Sequence, residues 1–139
     1  MNGEITMRRM LSIGLSTAML VGAFSASAMA AYSRPMSTTG VYMNMQYTWD
    51  PAGTNHGAFH YWGKLDDTLN DGNAAQLKVG VAGYDYLTHQ NPVDQDKTWD
   101  YRQWDGQATH TDTAHSQVCR NRGILLPDNC SPVYNLRRP

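Results

Sequence analysis

The sequence predicts an all-β fold, a small antiparallel β-sandwich or barrel with one disulfide, preceded by a cleaved signal peptide. Three observations carry that reading. Short runs rich in Val, Tyr and Thr alternate with polar residues, most strictly where Ala75, Leu77, Val79 and Val81 alternate with Gln76, Lys78 and Gly80. Clusters of Gly, Pro, Asn and Asp separate the runs, as turns require. Beyond residue 30, no window of about 11 residues keeps helical periodicity.

The chain begins with targeting features. Met7-Arg8-Arg9 forms a basic head, Leu11 to Phe24 carries no charge, and Ala28 and Ala30 have the spacing of a signal-peptidase site. Residues 1–30 are therefore expected to be a signal peptide, with residues 1–6 as an N-terminal extension. Cleavage is expected after Ala30, with Ala28–Met29 as the alternative. The apolar run is shorter than the roughly 20 residues that span a bilayer, so no stable membrane insertion is expected after cleavage. The adjacent arginines suggest a twin-arginine signal, but Met10-Leu11-Ser12 fits it poorly and the general route is favoured. The expected location is secreted and extracellular.

Residues 31–40 are expected to be a flexible arm and 41–139 a single all-β domain. Val41 to Thr48 reads as a strand, and Asp50-Pro51-Ala52-Gly53 as a turn in which Pro presets φ and Gly accepts positive φ. Ala58 to Asp67 reads as the second strand, with Phe59, Tyr61, Gly63 and Leu65 on one face. Asn70 to Asn73 is a turn, and Ala75 to Val81 the next strand. Gly83 and Asn91-Pro92 interrupt the segment beyond it. Lys97 to Trp104, Thr109 to Arg120 and Ser131 to Arg137 complete the strands.

Composition narrows the function classes. After residue 30 there are 9 Lys and Arg against 11 Asp, a net charge of about −2. No basic stripe is present, so no nucleic-acid partner is expected. Arg137-Arg138 is expected to be a solvated tail. Leu, Ile, Val and Phe make up only 15 of these 109 residues, while 4 Trp and 8 Tyr supply apolar area. An aromatic core is the consequence.

Both cysteines, Cys119 and Cys130, lie in the stretch VCRNRGILLPDNC. Their ten-residue gap rules out C-x-x-C redox spacing, and two cysteines do not complete a tetrahedral zinc site. In an oxidising compartment a disulfide is expected, and in the chain-entropy model a loop this short gains about 3 kcal/mol.

Leu65-Asp66-Asp67-Thr68 with Asn70-Asp71-Gly72 resembles the D-T-x-x-D-G segment of small secreted proteins from Streptomyces and related actinobacteria. Gln117-Val118-Cys119-Arg120 with Pro127-Asp128-Asn129-Cys130 is similar to the V-C-x…D-x-C ending of the same group. The two matches bracket about half of the chain beyond residue 30. The resemblance implies a secreted all-β domain and no activity.

Candidate sites are few. Asp66, Asp67 and Asp71-Gly72 offer the clustered carboxylates and turn glycine a calcium ion would use, with Asp67 and Asp71 the candidates, but the loop lacks the D-x-D-x-D-G pattern with a distal Glu. A turn whose side chains bond the local backbone is the expected reading. His56 and His60 would stand roughly 13 Å apart on a strand, and His110 and His115 on opposite faces, so no metal or other cofactor is expected. No nucleophile motif is present, and the chain reads as non-enzymatic.

Trp99 and Tyr101 share one strand face, with Trp104 opposite. Tyr84 and Tyr86 also share a face. Trp104, Tyr84, Tyr86 and Arg102 are the candidate ligand-binding residues, for a glycan or a protein, while packing of one such face in the core is the expected reading. The functional expectation is a secreted binding or interaction module of unknown ligand. The alternative is a peptidase inhibitor or antimicrobial acting through the stapled 119–130 loop. Against that alternative, Ile124, Leu125 and Leu126 are expected to fold back on the core.

Overall fold

The computed structural model describes residues 30–106 and 109–139. The expected signal peptide, up to residue 29, lies outside the described residues. Among the described residues nine strands run in the order β1 (Tyr32–Thr38), β2 (Val41–Trp49), β3 (Phe59–Asp67), β4 (Ala74–Val81), β5 (Leu87–Gln90), β6 (Lys97–Gln103), β7 (Thr113–Asn121), β8 (Asn129–Cys130) and β9 (Tyr134–Arg137). One sheet has the order β1-β2-β3-β6 and the other β5-β4-β7-β8, with β9 also paired to β7. Every pairing is antiparallel. The expected all-β architecture is present as two sheets around a shared core.

Period two explains the layering. In β2, Val41, Met43, Met45, Tyr47 and Trp49 point inward and are buried, while Tyr42 and Asn44 are exposed. In β3, Phe59, Tyr61 and Leu65 do the same. Leu77, Val79, Val81 and Val118 face them from the second sheet. The core is aromatic, as the scarcity of aliphatics requires. The Phe59 ring lies 4.8 Å from Trp49 and 5.5 Å from both Tyr47 and Tyr61. Met36, Met43 and Met45 fill the remaining space with flexible thioethers.

Three segments depart from the expectations. Residues 31–40 are not a loose arm, because Tyr32–Thr38 pairs along β2 and Met36 is buried. Pro35 disguises this strand, and it is tolerated because β1 is a sheet edge that leaves one row of N–H positions unpaired. The four-residue strand β5 stands where only breaks are legible. The last strand, expected from Ser131, starts only at Tyr134, and Asn129–Cys130 forms a separate short strand; between them the Ser131 hydroxyl accepts from the Val118 N–H.

The two sheets also touch at their edges. On one side β5 and β6 face each other, with the His89 ring 4.6 Å from Trp99 and 5.1 Å from Tyr101. On the other, Arg34 of β1 lies over the Tyr134 ring of β9 at 5.4 Å.

Candidate functional site

The Cys119–Cys130 disulfide is formed, with a Cα–Cα distance of 4.0 Å, across the register pair that joins β7 to β8. The loop between them is braced from within. The Arg122 Nε and Nη2 groups donate to the Pro127 carbonyl at 2.9 and 2.8 Å, and the Gly123 N–H donates to Asn121 Oδ1 at 2.9 Å. Lys78 Nζ reaches from β4 to Asp128 at 2.8 Å. The tip does not fold back on the core. Ile124, Leu125 and Leu126 are 101%, 90% and 55% exposed. Burying a side chain of this size is worth about 1.5–3 kcal/mol, so the fold forgoes stabilisation at three adjacent positions. The reason is geometric: the hairpin carries residues 122–127 beyond the sheet, and every one of them is exposed.

Trp104 and Arg102 come together at the β5–β6 edge; neither Tyr84, which reaches Gly106, nor Tyr86 lines the cleft with them. Leu87, Tyr101, Arg102, Gln103 and Trp104 line an open cleft of about 230 Å³. Tyr101 and Trp104 remain 44% and 47% exposed. Gly106 lies under the Tyr84 hydroxyl, with 3.1 Å between that oxygen and the position a Cβ would take. Tyr86 instead sets its edge against His115 at 4.8 Å. Trp99 is packed against the core, as alternation along β6 requires, and its Nε1–H donates to Asn91 Oδ1 at 3.0 Å. Tyr101 shares that inward face but stays half open, because β6 is an edge strand. Trp104 does not lie opposite Tyr101 as expected: it falls one residue beyond the end of β6, where alternation no longer governs, and lines the same cleft.

Sequence reasoning misses one neighbour of this cleft. His56 stacks on Trp104 with ring centroids 4.9 Å apart and planes inclined by 19°. It sits in a 3-10 turn, Asn55–Gly57, whose three residues have φ of 47°, 59° and 58°. A histidine in this left-handed region is uncommon and costs of order 1 kcal/mol. Surrounding bonds hold it there. Asn55 Nδ2 donates to Asp50 Oδ2 at 3.0 Å, Arg138 Nη1 to the Asp50 carbonyl at 3.0 Å, and Arg138 Nη2 to the Gly57 carbonyl. Gly57 itself is required, because a Cβ would collide with the His110 backbone. Arg138 is therefore a clamp on this turn and not a solvated tail. Arg102 Nε donates to the same Asp50 oxygen at 3.0 Å, so one buried carboxylate positions both the His56 turn and Arg102. The local hint in the sequence is Asn55-His56-Gly57, whose flanking residues tolerate positive φ.

Asp67 and Asp71 face a cation that belongs to the chain. Arg120 is 3% exposed and reaches the Asp67 carboxylate at 3.0 Å, the Gly40 carbonyl at 2.7 Å and the Leu69 carbonyl at 3.0 Å. It also pairs with both oxygens of Asp71. The guanidinium lies between the two carboxylates. Its hydrogen bond to Asp71, supported by the Asn73 N–H, holds that carboxyl below its ordinary value. Among the described residues no three His, Cys, Asp or Glu side chains converge as a metal site would need.

Two further histidines each meet one side-chain polar partner. On the outer face of the first sheet, His60 Nε2 lies 2.7 Å from Asp100 and its ring 4.6 Å from that of Trp62. Between the sheets, the His89 Nε2 lies 2.7 Å from the Tyr61 hydroxyl. Burial, and secondarily the charge of Lys97, lower the His89 pKa, while burial raises that of Tyr61. Both shifts favour a neutral imidazole accepting from a neutral phenol.

No described helix is long and apolar enough to cross a membrane. No family model, no curated protein and no solved structure matches the chain.

Proposed function

We propose that this chain is an exported, non-enzymatic interaction module that engages a partner protein through the stapled loop 119–130. The observation that carries the reading is the tip, where Ile124, Leu125 and Leu126 stand 101%, 90% and 55% exposed on a loop braced at its base. A loop ordered before binding loses little entropy on association, so its apolar contacts count almost fully toward affinity. The tip is narrow and convex, and it complements a concave apolar cleft. The charges at its base are Arg122 and Lys78 against Asp128, well short of the cluster of about four to eight cations that an anionic membrane recruits. An anionic membrane surface is therefore the poorer match. The substrate cleft of a peptidase selective for large apolar side chains is the most concrete partner of this shape.

The test is a set of such secreted serine peptidases assayed with the oxidised chain. Inhibition is expected, and Leu125→Asp should weaken it by about a hundredfold while the chain stays folded, because a central apolar anchor carries much of the binding energy. Equal potency of the two chains, or inhibition of none of the enzymes, overturns the reading. Export rests on residues 7–30, and the intact mass of protein from culture medium should give a start at Ala31. Full-length chain confined to the cytoplasm contradicts it.

A further inference from the structure

We infer that the β5–β6 edge cleft is a second site, independent of the stapled loop, and that it takes a neutral pyranose ring of a glycan. The chain is poor in aliphatics and buries Trp49, Phe59 and Tyr61 completely, yet Tyr101 and Trp104 remain about half exposed beside one cleft. Two further features show a built site. His56 covers one face of Trp104, which fixes the plane of the indole, and a left-handed turn is held in place to do so. Asp50, 8% exposed, bonds that turn and Arg102 through a single oxygen.

The ligand class is set by the chemistry of the lining. The C–H face of a sugar ring packs on exposed aromatic faces, as Tyr101 and Trp104 offer. Arg102 uses its Nε on Asp50, and its two terminal nitrogens have no partner among the described residues. They can donate to ring hydroxyls. Because Asp50 already offsets the guanidinium charge, the cleft does not favour an anion. Its volume of about 230 Å³ falls below the roughly 300–1,000 Å³ of sites for drug-sized ligands and suits one ring. The opening along the sheet edge leaves the adjoining sugars of a chain in solvent.

The experiment is calorimetric titration of the folded chain with neutral oligosaccharides built on glucose, xylose and N-acetylglucosamine. At least one should bind the wild type, and Trp104→Ala should weaken it about tenfold or more. Tyr86→Ala and Leu125→Asp should bind as the wild type does, because neither residue lines the cleft. The Leu125 control separates this inference from the loop reading, since either can fail alone. If Trp104→Ala does not fold, Tyr101→Ala carries the same expectation. Absence of binding by the wild type to all three classes overturns the site. So does equal affinity of the wild type and the cleft variant.

Discussion

Replacing Arg120 by methionine keeps most of the aliphatic volume and removes a cation that makes five hydrogen bonds. The Asp67 side chain, fully buried, is left charged and unpaired, and the Gly40 and Leu69 carbonyls lose their donor. Removing one partner of a buried ion pair costs about 3–5 kcal/mol. Asp71 adds little, because its side chain is 42% exposed and solvent screens it. The loss compares with a total stability of about 5–15 kcal/mol for a domain. For a domain of this size each kcal/mol moves Tm by about 4–8 °C, so Arg120→Met should melt at least about 12 °C lower. Thermal unfolding followed by circular dichroism at neutral pH measures this. Adding Asp67→Leu should recover part of the loss, since the orphaned charge is then gone. A single variant melting within about 4 °C of the wild type, or a double variant with additive losses, refutes the clasp.

Three further perturbations probe the staple, the buried histidine and the two tryptophans Trp99 and Trp104. Cys119→Ser with Cys130→Ser should lower stability by about 3 kcal/mol in denaturant unfolding, and an unchanged midpoint contradicts the staple. The His89 pKa is lowered by burial from its ordinary 6.5, so the unfolded chain gains a proton below about pH 6.5 that the folded chain resists. Its contribution is complete above that pH and drains as pH falls toward the folded value. Unfolding free energy should decline from pH 7 to 5, and His89→Asn should flatten the slope; a wild-type stability that rises on acidification contradicts this. Trp99→Ala should cost about 2–4 kcal/mol, while Trp104→Ala should cost about 1 kcal/mol or less. The reverse order in urea unfolding overturns the placing of Trp99 against the core and Trp104 at the open cleft.

Legibility varies with the distance over which a residue finds its partner. Strands β2, β3, β4 and β6 are readable because alternation is local and each has an inward face. Strand β1 is hidden by Pro35 and by an inward row in which only Met36 is fully buried. The β5 strand is too short for periodicity to register. The sites are less readable still. His56 and Trp104 meet across 48 positions, and Arg120 meets Gly40 across 80, so nothing local marks either pair. Asp67 and Asp71 are visible as a carboxylate pair, but the cation between them comes from β7. Ile124-Leu125-Leu126 misleads because apolar residues are buried by default, and only the reach of the hairpin beyond the sheet shows otherwise.

The central claim is that a rigid loop presents apolar side chains to solvent, and methyl NMR with a soluble paramagnetic agent tests it without knowledge of the partner. In the oxidised chain, the Ile124 and Leu125 methyls should broaden more than any other Ile or Leu methyl, while Leu65 and Leu77, fully buried, stay sharp. Backbone order parameters at Gly123 and at the amides flanking Pro127 should match those of the strands, near the rigid value of about 0.85. Protection of the Ile124 and Leu125 methyls to the level of Leu65, or loop order parameters below about 0.6, would contradict the account.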